Sequence, residues 1–273
     1  MSDTRYFSFL RIGFIAIGCA WLMGCSDDAE RERLTQEQEQ RPVEELYREA
    51  RDMLGQKTYK EAAEAFDDVE RHYPYSEWAA RSQIMAAYAY YRGTMYDDAV
   101  ITLERFLEVY PSHPSIPYAY YLIGLSYYEQ IADVGRDQGN TRKARKALRD
   151  VMRRFPNTDY ARDAKLKLDL TEDHLAGKDM MIGRYYLQHK EYLAAANRFR
   201  AVIEEFQTTS HAPEALHRLV EVYLLLGVKD QAMRYASVLG HNFPETEWYE
   251  RSYKLLGKAP IKAKKKDFID RVF

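Results

Sequence analysis

Residues equipped for bond-making chemistry are few in this 273-residue chain, and their spacing suits none of the usual reactions. Seven histidines are scattered along it. His211 and His217 lie six apart, off the i, i+4 step that sets two imidazoles on one helix face for a metal, and no cysteine stands near to help. There is no GxSxG, phosphate-loop or HExxH pattern. Asp67, Asp68 and Glu70 cluster, but on an amphipathic stretch whose wet face they would form. Neither catalysis nor a metal is expected; recognition is. The side chain best suited to recognition is tyrosine, present 23 times, because it joins rigid contact area to a polar tip. What the rings could recognise depends on the elements that carry them.

Those elements recur. The stretch Ala62 to Pro74, AAEAFDDVERHYP, returns in thinned form as Ala99 to Pro111, Ala144 to Pro156, Ala195 to Gln207 and Ala232 to Pro244. Each opens on alanine, reaches an aromatic 11 residues on (Tyr73, Tyr110, Phe155, Phe206, Phe243) and closes at the next position. The alanines are 37, 45, 51 and 37 residues apart, and the closing positions keep those gaps. Twelve residues before each alanine stands a small residue, Ala50, Ala87 or Gly183, with Val220 the largest; in the third block it is Gly124 once eight inserted residues are allowed for. Three residues later come Met53, Tyr90, Tyr127, Tyr186 and Tyr223. Positions i and i+3 share a helix face, and a small residue opposite an alanine lets two antiparallel helices approach closely. The proline ends the second helix, since it lacks the N–H and clashes with the preceding turn.

This spacing resembles the tetratricopeptide repeat, a helix–turn–helix of about 34 residues, over roughly Val43 to Thr246. The resemblance implies an all-α fold, an α-solenoid of about five such repeats. Repeats one and two run near 43–76 and 80–113. The third begins near Pro117 and carries the insertion, Asp133 to Asn140, whose glycines and polar residues read as a surface loop. Tyr160 to Ala176 has no breaker and keeps Ala161, Ala164, Leu168 and Leu175 at helical spacing. A long helix is therefore expected between repeats three and four, over 160–175, leading into repeat four (176–209). Repeat five lies near 213–246, and Trp248 to Leu256 reads as a helix that covers the last apolar face. The expected division is 42–159 for repeats one to three and 176–256 for repeats four and five with their cap.

The front differs. Arg5 and Arg11 precede an apolar run, Ile12 to Leu22, too short for a spanning helix of about 20 residues, and residues 1–24 read as a signal peptide. Leu22-Met23-Gly24-Cys25 resembles a bacterial lipobox, with cleavage before Cys25 and lipid on its sulfur; that covalent lipid is the one attached group expected, with no cofactor besides. Ser26 after the cysteine permits sorting to the outer membrane, by resemblance to such lipoproteins. Residues 25–41 are rich in Glu, Gln and Arg and read as a flexible tether. The tail, 257–273, carries Lys258, Lys262, Lys264, Lys265, Lys266 and Arg271. A net charge near −2 gives no sign of nucleic acid.

In repeats of this kind the first helix lines the inner groove, at spacing i, i+3, i+7, i+10. On that placement repeat one contributes Glu44, Tyr47, Arg51 and Leu54, repeat two Arg81, Ile84, Tyr88 and Tyr91, and repeat three Tyr118, Tyr121, Leu125 and Tyr128. Repeat four contributes Gly177, Met180, Arg184 and Leu187, and repeat five Glu214, His217, Glu221 and Leu224. Six tyrosines fall in the first three repeats and none in the last two. Tyr90, Tyr127, Tyr186 and Tyr223 take the packing position and read as core. For Tyr47 and Tyr118, near helix ends, burial by a neighbouring repeat is the alternative.

Lipobox, short tether and five repeats, four of them closing in Tyr-Pro or Phe-Pro, together resemble the BamD family, outer-membrane lipoproteins of the β-barrel assembly machinery. Local matches are Ala87-Tyr88-Ala89-Tyr90-Tyr91, His113-Pro114 and Asn197-Arg198; the lysine-rich tail departs from the family's shorter forms. The resemblance implies a lipid anchor on the periplasmic face of the outer membrane. It implies N-terminal repeats that receive targeting segments of unfolded β-barrel outer-membrane proteins. It also implies C-terminal repeats that dock on the last POTRA domain of BamA through Arg198, facing an acidic residue, beside other lipoproteins of the complex. A repeat scaffold for pilus assembly or envelope and division coordination is the alternative.

Overall fold

A computed structural model describes residues 41–257. The leader, Cys25, most of the tether and the lysine-rich tail lie outside those residues. The described chain is helical throughout: α1 (Val43–Gly55), α2 (Tyr59–His72), α3 (Glu77–Arg92), α4 (Tyr96–Val109), α5 (Ile116–Tyr128), α6 (Gly139–Arg154), α7 (Asp159–Gln188), α8 (Tyr192–Glu205), α9 (Ala212–Leu225), α10 (Lys229–Asn242) and α11 (Glu247–Leu255). These are five tetratricopeptide-like pairs, α1/α2, α3/α4, α5/α6, the second half of α7 with α8, and α9/α10, followed by α11. Four of the pairs are joined by three-residue turns and α5/α6 by the longer segment 129–138 that holds the insertion; in each the two helices pack on one another. Among the described residues no helix is long and apolar enough to cross a membrane.

The pairs close on the small residues. Ala62, Ala99, Ala144, Ala195 and Ala232 are fully buried, as are Ala50, Ala87 and Val220. Four residues after each alanine a second buried position follows, Phe66, Leu103, Leu148, Phe199 or Ala236; the large ones contribute about 1.5–3 kcal/mol each by leaving water. The approach is tightest at Gly183, where an added Cβ would lie 2.5 Å from Cε1 of Phe199. The turn inside a pair also repeats. Lys57, Thr94, Lys190 and Gly227, each five residues before its alanine, adopt left-handed backbone with φ of 65°, 61°, 63° and 77°. Only the last is the residue type that does so without steric cost.

A third marker joins one repeat to the next. Ser76, Thr158, Thr209 and Thr246 each stand three residues after the closing aromatic, and each hydroxyl donates to that residue's carbonyl at 2.7–2.8 Å. The Thr158 and Thr246 oxygens also accept from the N–H groups of Ala161 and Tyr249, capping α7 and α11. Tyr90, Tyr127, Tyr186 and Tyr223 are half-buried rather than fully enclosed. Three of them meet polar groups: the Tyr90 hydroxyl donates to Asp67 at 2.8 Å, Lys143 lies over the face of the Tyr127 ring, and Arg200 donates to the Tyr223 hydroxyl at 2.8 Å. Burial pushes both the Tyr90 phenol and the Asp67 carboxyl above their ordinary values.

Several boundaries differ from the sequence reading. Gly139 and Asn140 open α6 instead of ending the insertion. The linking helix and the first helix of repeat four are one 30-residue helix, α7, about 45 Å long at the standard rise. The described residues form two compact units that divide between Tyr110 and Pro111, so repeat three groups with repeats four and five rather than with one and two. The reason is α7, which packs on α5 and α6 at one end and on α8 at the other. In the first unit Phe66 and Ala86 centre a core flanked by Tyr47 and Tyr90. In the second the largest core joins Met180, Phe199, Val202 and Leu219.

His217 is not a groove residue. It is buried under α11, its Nδ1 2.8 Å from the Ser252 hydroxyl oxygen and its ring 5.3 Å from Trp248. Burial first, then the neighbouring Arg218 and Arg251, hold its pKa below the usual 6.5.

Two predictions follow from this packing. Gly183→Ala should destabilise the protein by about 1–2 kcal/mol in urea unfolding, because three Phe199 ring atoms within 2.9 Å of the new Cβ put the overpacking cost at the upper end of the usual range, about 2–3 kcal/mol, against about 1 kcal/mol gained in helix propensity; a variant as stable as the parent would refute the close approach. A depressed imidazole pKa contributes stability that is complete above the unfolded value and is lost as pH falls through the folded one. Amide exchange in α11, corrected for intrinsic rate, should therefore speed up between pH 7.5 and 5 in the parent and lose that pH dependence in His217→Gln.

Candidate functional site

Three groups of side chains are placed for recognition: the tyrosines of α1 and α3 in the first unit, those of α5 in the second, and the residues around Arg198. In the first unit Tyr47 leans on Phe66 and Trp78, with ring centroids 5.3 and 4.8 Å away, and burial raises its phenol pKa. Arg81 lies over the same Trp78 ring at 5.4 Å. One turn before the end of α3, Tyr88 accepts a 2.8 Å hydrogen bond from Arg92, which also donates to Tyr59 at 3.1 Å. Tyr91 packs 5.8 Å from Tyr96. Ile84 is buried at 8% exposure and serves packing rather than contact, a correction to its expected place in the groove.

In the second unit Tyr118 and Tyr121 both rest against Tyr160 of α7, at 5.6 and 5.3 Å. The Tyr121 hydroxyl donates to Asp163, and that bond, followed by Lys167, holds the Asp163 carboxyl below its ordinary value. Lys167 also lies over the Tyr128 ring at 5.7 Å. Leu125 is buried. All six tyrosines are half-buried. Neighbours thus cover part of every ring, Tyr47 and Tyr118 included, and leave part open. Sequence reasoning missed the supporting residues, Trp78, Tyr59, Arg92, Tyr160 and Asp163. Trp78 and Tyr160 share a signal that could have found them, an aromatic in the first turn of a helix that follows a closing block.

Arg198 lies three residues past Ala195 on the outer side of α8, exposed as expected. It does not stand alone. Its Nη1 is 3.2 Å from Oδ1 of Asp179 on α7, and burial pushes that carboxyl above its ordinary value even with the arginine beside it. Around the pair is a recess of about 520 Å³ walled by Gly135 to Gln138 of the insertion, by Arg142 and Arg145 of α6 and by Lys178. Its floor is apolar, with Leu175, Ile182 and Phe206. Lys178 donates to the carbonyls of Gly135 and Arg136 at 3.0 and 3.4 Å and so fixes the insertion against α7. Gln138, buried, holds the same loop through Asp133 and Arg136 carbonyls and receives the Thr141 hydroxyl. Chemically this is a place for an anionic side chain with an apolar neighbour. The insertion read as a loop is a wall of the Arg198 site, which spacing alone did not reveal.

Comparison with known proteins agrees with this architecture. The family model YfiO, described as outer membrane lipoprotein, matches residues 39–239. A relative from Caulobacter vibrioides, named outer membrane protein assembly factor BamD, is 51% identical over 87% of this chain and 77% of its own length. Proteins of the same name from Rickettsia prowazekii and Neisseria meningitidis are 46% identical over 79% of this chain and 86% of theirs, and 33% identical over 88% and 93%. The match runs from the end of the tether into α10, through every repeat just described, and the chain belongs to the BamD (YfiO) family of outer membrane lipoproteins.

Proposed function

We propose that this protein is a lipid-anchored adaptor of the β-barrel assembly machinery, held by Cys25 on the periplasmic face of the outer membrane and carrying two kinds of binding site. The tyrosines of α1 and α3 in the first unit, and those of α5 in the second, each offer contact to extended targeting segments of unfolded outer-membrane proteins. The Arg198 recess receives BamA, through an acidic group on its last POTRA domain. The observation that carries the assembly role is the 51% identity to an assembly factor over 87% of this chain.

The chemistry of each site supports its assignment. At the tyrosines, half-buried rings supply apolar contact while the hydroxyls of Tyr88 and Tyr121 are already engaged. A few aromatic anchors carry most of the energy of such contacts and allow release. At the recess, Arg198 is kept in place by Asp179 until a stronger acceptor arrives. A partner carboxylate that displaces Asp179 gains a charge-assisted hydrogen bond. Asp179 tolerates the loss, because its burial already disfavours the charged form.

Changing Tyr88 and Tyr121 together to alanine should weaken an aromatic-ended barrel peptide about tenfold or more by fluorescence titration, at about 1 kcal/mol or more for each lost anchor, with the helical circular dichroism spectrum unchanged. Equal affinity would remove the tyrosines from the site. The second pair of variants is read by co-purification from outer membranes in mild detergent. Arg198→Glu should lose BamA and keep the peptide, whereas Asp179→Asn, which frees the arginine and removes a penalised charge, should hold BamA more tightly and melt within a few degrees of the parent. Retention of BamA by Arg198→Glu, or recovery of pilus or division proteins in its place from the parent, would overturn the assignment.

A further inference from the structure

Helix α6 breaks a local rule. It carries Arg142, Lys143, Arg145, Lys146, Arg149, Arg153 and Arg154 against one acid, Asp150. Arg142 and Lys146, Arg145 and Arg149, and Arg149 and Arg153 are like-charge pairs at i, i+4, each unfavourable by about 0.2–0.5 kcal/mol. A local cost that the fold returns only in part points to a functional surface. Part of this charge is neutralised within the fold. Arg145 and Arg149 share Glu172 of α7 at 3.2 and 2.6 Å, and Arg153 pairs with Asp150 on its own helix. Lys146 is exposed and has no carboxylate within ion-pair distance among the described residues.

The face is also recessed. A groove of about 340 Å³ runs between Arg142, Lys146, Arg149 and Arg153. It shares Arg142 and Arg145 with the wall of the Arg198 recess, so the two adjoin across those side chains. Together they present eight cationic side chains and four carboxylates. Arg136, on the insertion, adds a second cation with no carboxylate at ion-pair distance among the described residues.

We infer that the basic face of α6 and the insertion form a second contact for the partner that meets Arg198, one that takes an acidic segment of that protein. The occupant is a protein segment with at least two carboxylates flanking an apolar residue. The carboxylates suit Arg136, Lys146 and Arg153, and the apolar residue suits the Leu175, Ile182 and Phe206 floor. A flat anionic lipid surface would leave both recesses unfilled. The inference rests on the reading of Arg198 as the BamA contact.

The test uses the full lipidated chain in detergent and purified BamA, with the double variant Lys146→Glu, Arg153→Glu. Both positions are exposed, so circular dichroism and melting should match the parent. At low salt BamA affinity should fall about five- to tenfold, as two partner charges are lost, and its salt dependence should flatten. Binding to phosphatidylglycerol vesicles should stay as in the parent. Unchanged BamA affinity and salt dependence, with binding still lost in Arg198→Glu, would overturn this inference and leave the Arg198 site standing. Binding retained in Arg198→Glu as well would overturn both. Loss of vesicle binding with BamA retained would assign the face to the membrane and overturn the protein contact.

Discussion

The closeness of the two helices in each pair is the constraint on which the other features depend. Helices approach to near contact only where side chains nearly vanish, and Ala50, Ala87, Gly124, Gly183 and the five block alanines supply that. Once the backbones are that near, the residues on either side have no freedom. Phe66, Leu103, Leu148 and Phe199 fill the space beside the contact, and the hydroxyls of Tyr90 and Tyr223 meet polar groups on the preceding pair's second helix. Close packing at crystal-like density makes such a pair rigid. The remaining faces of the first helix, which carry the tyrosines, and of the second, which carries Arg198, then point in fixed directions.

That constraint is why the fold was so largely legible. A small residue, an alanine and a helix-ending proline are favoured by sterics, and the register stays readable although Val220 and Gln207 depart from it. The Ser or Thr three residues past the closing aromatic was equally present in the sequence. It went unread because a hydroxyl in a turn has many other uses, and only the shared bond to the i−3 carbonyl separates it from them. The merging of linker and fourth repeat into α7 followed from the lack of any breaker over residues 160–176. The division after Tyr110 did not follow, because Tyr110-Pro111 closes its block like every other. His217 was misplaced for a related reason. Its burial comes from α11, whose angle across α9 no repeat register specifies.

The functional residues were legible to different depths. The six tyrosines could be numbered from the register, but what they touch could not. Trp78 and Tyr160 come from the next pair in the chain, and only stacking brings them under Tyr47, Tyr118 and Tyr121. Arg198 was found by resemblance alone. Its setting needs Asp179 from α7, Phe206 from the end of α8 and a loop some sixty positions earlier in the chain, held down by one lysine. The charge of α6 stood in plain view as composition. It gained meaning when its groove proved to share Arg142 and Arg145 with the Arg198 recess.

The two kinds of proposed site differ in the selectivity their physics allows. At Tyr88 and Tyr121 the hydroxyls are already engaged, with Arg92 and Asp163. A ligand there meets ring faces and gains apolar contact that varies little from one side chain to another; a missing methylene in such contact changes affinity by only about 1–3 kcal/mol. A site of this kind accepts many sequences that share one aromatic feature. The Arg198 recess works in the opposite way. Its cations exceed its carboxylates, and a neutral or basic partner would leave Arg198 with Asp179 and gain little. Discrimination by unpaired charge is steep. On the proposed reading, an adaptor that serves many substrates at one fixed assembly point needs this combination, tolerance on the tyrosine-bearing helices and exclusivity at the arginine.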